Sequence, residues 1–312
     1  MFKRILSLFL TVTLLLCVFS GCSSVNNSDD GRITIVTTIF PAYDFLRQIV
    51  GDKTDVIMLL PPGVESHAYE PTPSDIIEIE NADLFFYISE HTETWVTQIT
   101  SSLKNKNVET VCIADGIGVE VHGHDHEHHS HEHSEECETD EHIWTNLEYA
   151  ARMVDFLCEK VCEKDPENEA FYKSNAEKYK DEILSLKKDF EEMISKSERK
   201  EIVSGSRFAM KNFTNEFGLH FTAAFDSCVD NTEPSAAVMA KIIDKINEEK
   251  IPVVFYEELT EPKIARAVSL ETGAKMLLLH SCHNVSSEEL ENGETYLSLM
   301  RQNYNYLKEA LN

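Results

Sequence analysis

The 13 histidines of this 312-residue chain are spread unevenly, and their placement carries most of the chemistry it can do. Seven lie in one short tract, "HGHDHEHHSHEH" (122–133): His122, His124, His126, His128, His129, His131 and His133. Three more stand apart from it. His67 lies in the Pro/Gly-rich loop "PPGVESHAYEPTPSD" (61–75), His142 in "DEHIW" (140–144) and His280 in "HSCHN" (280–284). Neutral imidazole favours zinc, copper or nickel, whereas calcium and magnesium prefer oxygen shells. The tract has little apolar content, so it is expected to be mobile, and its histidines can hold several ions weakly. Tight binding needs ligands fixed by supporting hydrogen bonds. The tract therefore reads as a metal-gathering or sensing accessory to a rigid site elsewhere.

Catalytic alternatives fare poorly. A zinc hydrolase of the His-Glu-x-x-His type is not encoded, because both His-Glu steps (126–127 and 131–132) lack a histidine three residues after the glutamate. A Gly-x-Ser-x-Gly elbow is also missing. With 55 Asp and Glu against 28 Lys and Arg, the formal charge is −27, which argues against nucleic acid as a partner. A surface adhesin with a structural metal is the alternative of another class.

The positioning elements follow from patterning. Residues 1–22 read as a lipoprotein signal peptide: Lys3 and Arg4, a 15-residue apolar run (5–19), then "FSGC" ending at Cys22, the expected lipidation site. Residues 23–31 read as a polar tether, so the mature protein is expected to be exported and lipid-anchored to the outer face of the cell membrane. Eight short apolar runs predict strands: 32–40, 54–61, 83–89 and 108–114, then 201–205, 220–225, 251–257 and 274–280. Amphipathic segments alternate with them. This predicts an α/β fold of two lobes, each of about four β/α units on a parallel sheet. Residues 32–164 would form the N-terminal lobe, with a His-rich loop at 122–142, and 201–312 the C-terminal lobe. Between them, 165–200 carries an apolar stripe from Tyr172 to Met193 and predicts one linking helix of about 50 Å. In open parallel sheets ligands bind beyond the carboxyl ends of the strands. His67, His142 and His280 each follow a strand and can converge between the lobes. His91 also ends a strand, whereas His220 opens one and reads as structural.

Two further features concern cysteine. None of the eight forms a Cys-x-x-Cys pair, which weakens zinc-ribbon and thioredoxin readings. Cys158 and Cys162 read as helix packing, and Cys228–Cys282 is the pair to examine for a disulfide in an exported protein.

The loop "PPGVESHAYEPTPSD", "EHIW" opening a helix, the long middle helix and the acidic His-rich loop just before "EHIW" resemble one family over residues 32–312. It is the zinc-type cluster A-I substrate-binding lipoproteins of ABC importers. The resemblance implies a monomer that captures Zn²⁺ between two lobes and delivers it to a membrane permease, with Mn²⁺ or Fe²⁺ as alternative cargo. His-rich ligation disfavours manganese. It places the first ligand on His67, the second on His142 and the last on His280. The third family ligand falls on Ser206 or Arg207, and the guanidinium of Arg207 cannot coordinate. Cys282, His283, Cys228, Glu258 or water are then the candidates for the fourth position.

Overall fold

In the computed structural model, residues 31–66, 69–103, 107–121, 140–225 and 234–312 are described. The first sheet contains β1 (Thr34–Thr37), β2 (Asp55–Met58), β3 (Leu84–Tyr87) and β4 (Glu109–Cys112), in the order β2-β1-β3-β4. The second contains β5 (Glu201–Ser204), β6 (His220–Ala223), β7 (Val253–Tyr256) and β8 (Lys275–Leu278), in the order β6-β5-β7-β8. Every pairing is parallel. Both sheets thus repeat one topology, and all eight expected strands form. Central strands such as β3 (Leu-Phe-Phe-Tyr) are apolar on both faces because helices cover both.

The helices are α1 (Phe40–Val50), α2 (Pro73–Asn81), α3 (Val96–Ser102), α4 (Ile113–Gly116), α5 (Leu147–Lys164), α6 (Glu169–Lys196), α7 (Lys211–Phe217), α8 (Ala236–Glu249), α9 (Lys263–Thr272), α10 (Ser287–Glu291) and α11 (Tyr296–Leu311). The linking helix is shorter than its pattern implied. Residues Pro166–Asn168 form a 3₁₀ turn, and the α-helix proper has 28 residues, about 42 Å at about 1.5 Å each. The Asp165 carboxylate holds that turn by accepting from Asn168 Nδ2 at 2.8 Å and from the Tyr172 hydroxyl at 2.6 Å.

The expected stripe on α6 is buried from Tyr172 to Met193. It packs against α1 and α5, and its Phe190 meets Phe213 and Phe217 of α7 and Tyr304 of α11. One hydrophobic core consequently runs through both sheets, and Ile33–Asn312 is a single compact unit. A buried carboxylate ties three of these helices together: Asp44 of α1 accepts from the Tyr179 hydroxyl of α6 at 2.7 Å and the Tyr296 amide of α11 at 3.0 Å. Burial pushes the Asp44 carboxyl above its ordinary range, against these donors, which favour the charged form. Gly205, just after β5, lies so close to α9 that a Cβ would stand 2.5 Å from Ala265 Cα.

The expected signal peptide, Cys22, the tether up to residue 30 and the histidines of the 122–133 tract lie outside the described residues, as do His67 and Cys228. Among the described residues, no helix is long and apolar enough to cross a membrane.

Candidate metal centre

His142 is the best-defined metal-capable residue. It precedes the 3₁₀ turn Ile143–Thr145, which leads into α5, and is 1% exposed. The Asp140 carboxylate accepts from both the His142 amide (2.9 Å) and its Nδ1 (2.5 Å). This fixes Nδ1 as the protonated nitrogen and leaves Nε2 as the atom the ring can offer to a metal. Burial alone would lower the His142 pKa, but the Asp140 charge and hydrogen bond prevail and raise it from 6.5 to about 9. The second lobe fixes this acid in turn, because Asn212 Nδ2 of α7 donates to the Asp140 carbonyl at 2.8 Å.

The loop after β8 brings His283 to the same place. The His142 and His283 rings are 5.2 Å apart and nearly perpendicular, and Trp144 lies edge-on to both, 5.3 Å and 4.9 Å away. Trp144 is itself locked across the lobes: its Nε1 donates to the Ser281 carbonyl at 2.8 Å, and its carbonyl accepts from the Tyr296 hydroxyl at 2.7 Å.

The loop carrying His67 is bound to the same segment. Asn284 Nδ2 donates to the carbonyls of Pro61 (2.8 Å) and Val64 (2.9 Å), and the Gly63 amide donates to the Val285 carbonyl at 2.8 Å. Ser66 Oγ lies 3.1 Å from His283 Nδ1. The residue immediately before His67 therefore touches the imidazole that pairs with His142. Among the described residues, no three His, Cys, Asp or Glu side chains converge on one metal position.

The structure does not bring His280 to this cluster. Although His280 is fully buried, its Nδ1 accepts the Cys282 amide at 2.9 Å, which places its proton on Nε2, 3.6 Å from a Glu289 carboxylate oxygen. Its backbone exchanges hydrogen bonds with the Asn303 side chain, both 2.8 Å. Nδ1 is therefore committed within the second lobe, while buried Nε2 has no hydrogen-bond partner among the described residues. His280 thus stays in contact with the second lobe, whereas His283, three residues further on, lies against His142.

Other candidates separate as clearly. Glu258 is committed to Ser281, accepting from its amide at 2.9 Å and from its hydroxyl. Cys282 is buried with a free thiol and a left-handed backbone (φ 60°), and Cys228, its suggested partner, lies outside the described residues. His91 and His220 are exposed.

Arg207, at the position where a third ligand was expected, pairs with Glu65 across the lobes at 3.4 Å. Arg207, Glu257 and Ser281 line one small cavity. Burial and the neighbouring Glu258 push the Glu257 carboxyl up to about 7, against the opposing charges of Arg207 and His142. Sequence reasoning missed Asp140, Trp144, Ser66 and Glu257. The acid two residues before His142 was the one available signal.

The zinc-uptake complex component A (periplasmic) family profile matches residues 35–310. The chain is 35% identical over 317 residues to the high-affinity zinc uptake system protein ZnuA of Bacillus subtilis strain 168, covering 100% of this chain and 99% of that one. It is 31% identical to the zinc-binding lipoprotein AdcA of Streptococcus pneumoniae R6, over 93% of this chain and only 58% of AdcA. The solved Zn(II)-bound ZnuA-like domain of S. pneumoniae AdcA superposes with a TM-score of 0.74 at 28% identity, covering 90% of this chain and 99% of that domain.

Proposed function

Since the chain belongs to the zinc-uptake complex component A family, we propose that it captures Zn²⁺ between its two lobes and hands it to the permease of an ABC importer. Zinc is the cargo, not a resident cofactor. The observation that carries the reading is the buried His142–His283 pair, with Asp140 behind one ring and the His67 loop hydrogen-bonded to the other. In this reading His67, His142 and His283 supply three imidazoles. A carboxylate behind a metal-bound histidine orients the ring and raises its basicity, which is the role we assign to Asp140. The fourth position falls to an oxygen donor on the wall of the neighbouring cavity, which Glu257 lines. Such a donor set suits zinc over manganese, which takes more oxygen.

The family is one of transport proteins, and the chain is assigned no catalytic step. It is proposed to act as a monomer outside the cytoplasm, held by lipid on Cys22. The 122–133 tract is proposed to collect ions beside the site.

Competitive Zn²⁺ titration of single-residue variants tests the ligand set. His142→Ala and His283→Ala should each weaken the tight site by more than the about 10–100-fold that loss of an outer hydrogen bond produces. His280→Ala should keep it. Loss of tight binding in His280→Ala with retention in His283→Ala would overturn the assignment.

A further inference from the structure

Outside the inter-lobe site, a pair of thiols is held at a defined spacing. Cys158 and Cys162 are four residues apart on α5, so they share one face of a regular helix. Their sulfurs are 3.9 Å apart. Both thiols are free, and they line a surface groove of about 520 Å³ between α5 and α6. The groove walls carry Glu159, Glu163 and Glu169, with Lys173 paired to Glu169 at 2.5 Å.

We infer that this dithiol groove is a second cation site, distinct from the inter-lobe one and selective for thiophilic divalent ions such as zinc or cadmium. The spacing supports it quantitatively. Two sulfurs 3.9 Å apart, each about 2.3 Å from a zinc ion, subtend about 116° at the metal, close to the tetrahedral arrangement zinc adopts. Thiolates select soft cations over calcium and magnesium, and the acidic walls favour positive charge. Binding is a simple exchange: each sulfur forms a bond to the ion as its S–H proton passes to solvent, two protons per ion. Among the described residues no third donor is preset at bonding distance. The thiol pair is therefore the fixed part, and water or a wall carboxylate completes the shell. This makes the site weaker than the inter-lobe one. Burial pushes the Cys158 thiol up to about 12 and raises Cys162 as well, so the resting pair is protonated and slow to oxidise.

Cadmium titration of the phosphine-reduced protein tests this, read by the ultraviolet thiolate-to-cadmium charge-transfer band and by metal stoichiometry. Wild type should take up one equivalent that develops the band. His142→Ala/His283→Ala should keep that equivalent, and Cys158→Ser/Cys162→Ser should lose both it and the band while keeping its circular dichroism and tight zinc site. A band persisting in the serine variant, or none in folded wild type with both thiols titratable after denaturation, would overturn the proposal. A Cys158–Cys162 disulfide that survives reduction of the folded protein would do the same. The inter-lobe reading stands or falls separately, because no residue is shared.

Discussion

At the scale of single residues the account turns on which nitrogen of which histidine is presented to a metal. His142 and His280 are both buried, but their neighbours differ. Asp140 occupies Nδ1 of His142 and so presents Nε2, whereas His280 spends Nδ1 on the Cys282 amide and turns Nε2 towards Glu289. Asp140→Asn should keep the fold and weaken zinc binding about 10–100-fold, measured by chelator competition. The raised His142 pKa sets a pH dependence. Below about 9 the metal-free ring holds a second proton, which zinc must displace, so apparent affinity falls as pH drops, by up to about tenfold per unit from this group. The same shift has a stability consequence without metal. Because the folded pKa exceeds the ordinary 6.5, the contribution is fully present below 6.5 and is lost as pH rises through about 9. Chelator titrations at stepped pH check the first point, and melting of metal-free wild type against His142→Ala checks the second. An affinity flat between pH 6 and 9 would contradict imidazole ligation at this ring.

At the scale of elements the sequence pattern was informative wherever a period existed. All eight strands were legible because buried parallel strands are continuous apolar runs, as in Leu-Phe-Phe-Tyr of β3. The long helix was legible because its stripe from Tyr172 to Met193 keeps one face. Its true start was not, since it depends on Asp165 accepting from Asn168 and Tyr172, which no period records. Loops after strands have no period either, so the pattern placed His67, His142 and His280 at strand ends without saying which of His280 and His283 lies against His142. Only the turn at Cys282 and the grip of Asn284 on Pro61 and Val64 distinguish the last two. Two substitutions test the element contacts by chemical denaturation. Tyr179→Phe leaves Asp44 short of a donor and should lower stability by about 1–3 kcal/mol. Gly205→Ala forces backbone apart between β5 and α9 and should cost about 1–3 kcal/mol.

At the scale of the whole molecule the two lobes are joined by more than a linking helix. Trp144 to Ser281, Tyr296 to Trp144, Asn212 to Asp140 and Asn284 to the His67 loop all cross the interface around the proposed site. A common core passes beneath them. Opening the lobes would break these bonds together, so loading and release are expected to proceed by shifts of about 1 Å or less in backbone position. Small-angle scattering with and without zinc should give superimposable curves, and a large fall in radius of gyration would contradict the rigid account. The central claim is that tight zinc binding belongs to this inter-lobe site and not to the histidine-rich tract. Competitive Zn²⁺ titration of the domain from Ser23 tests it directly, with wild type beside a deletion of 122–133 and a His142→Ala/His283→Ala double variant. The account predicts one tight site that survives the deletion and disappears in the double variant. Tight binding that vanishes with the tract, or that persists without both inter-lobe histidines, would contradict it.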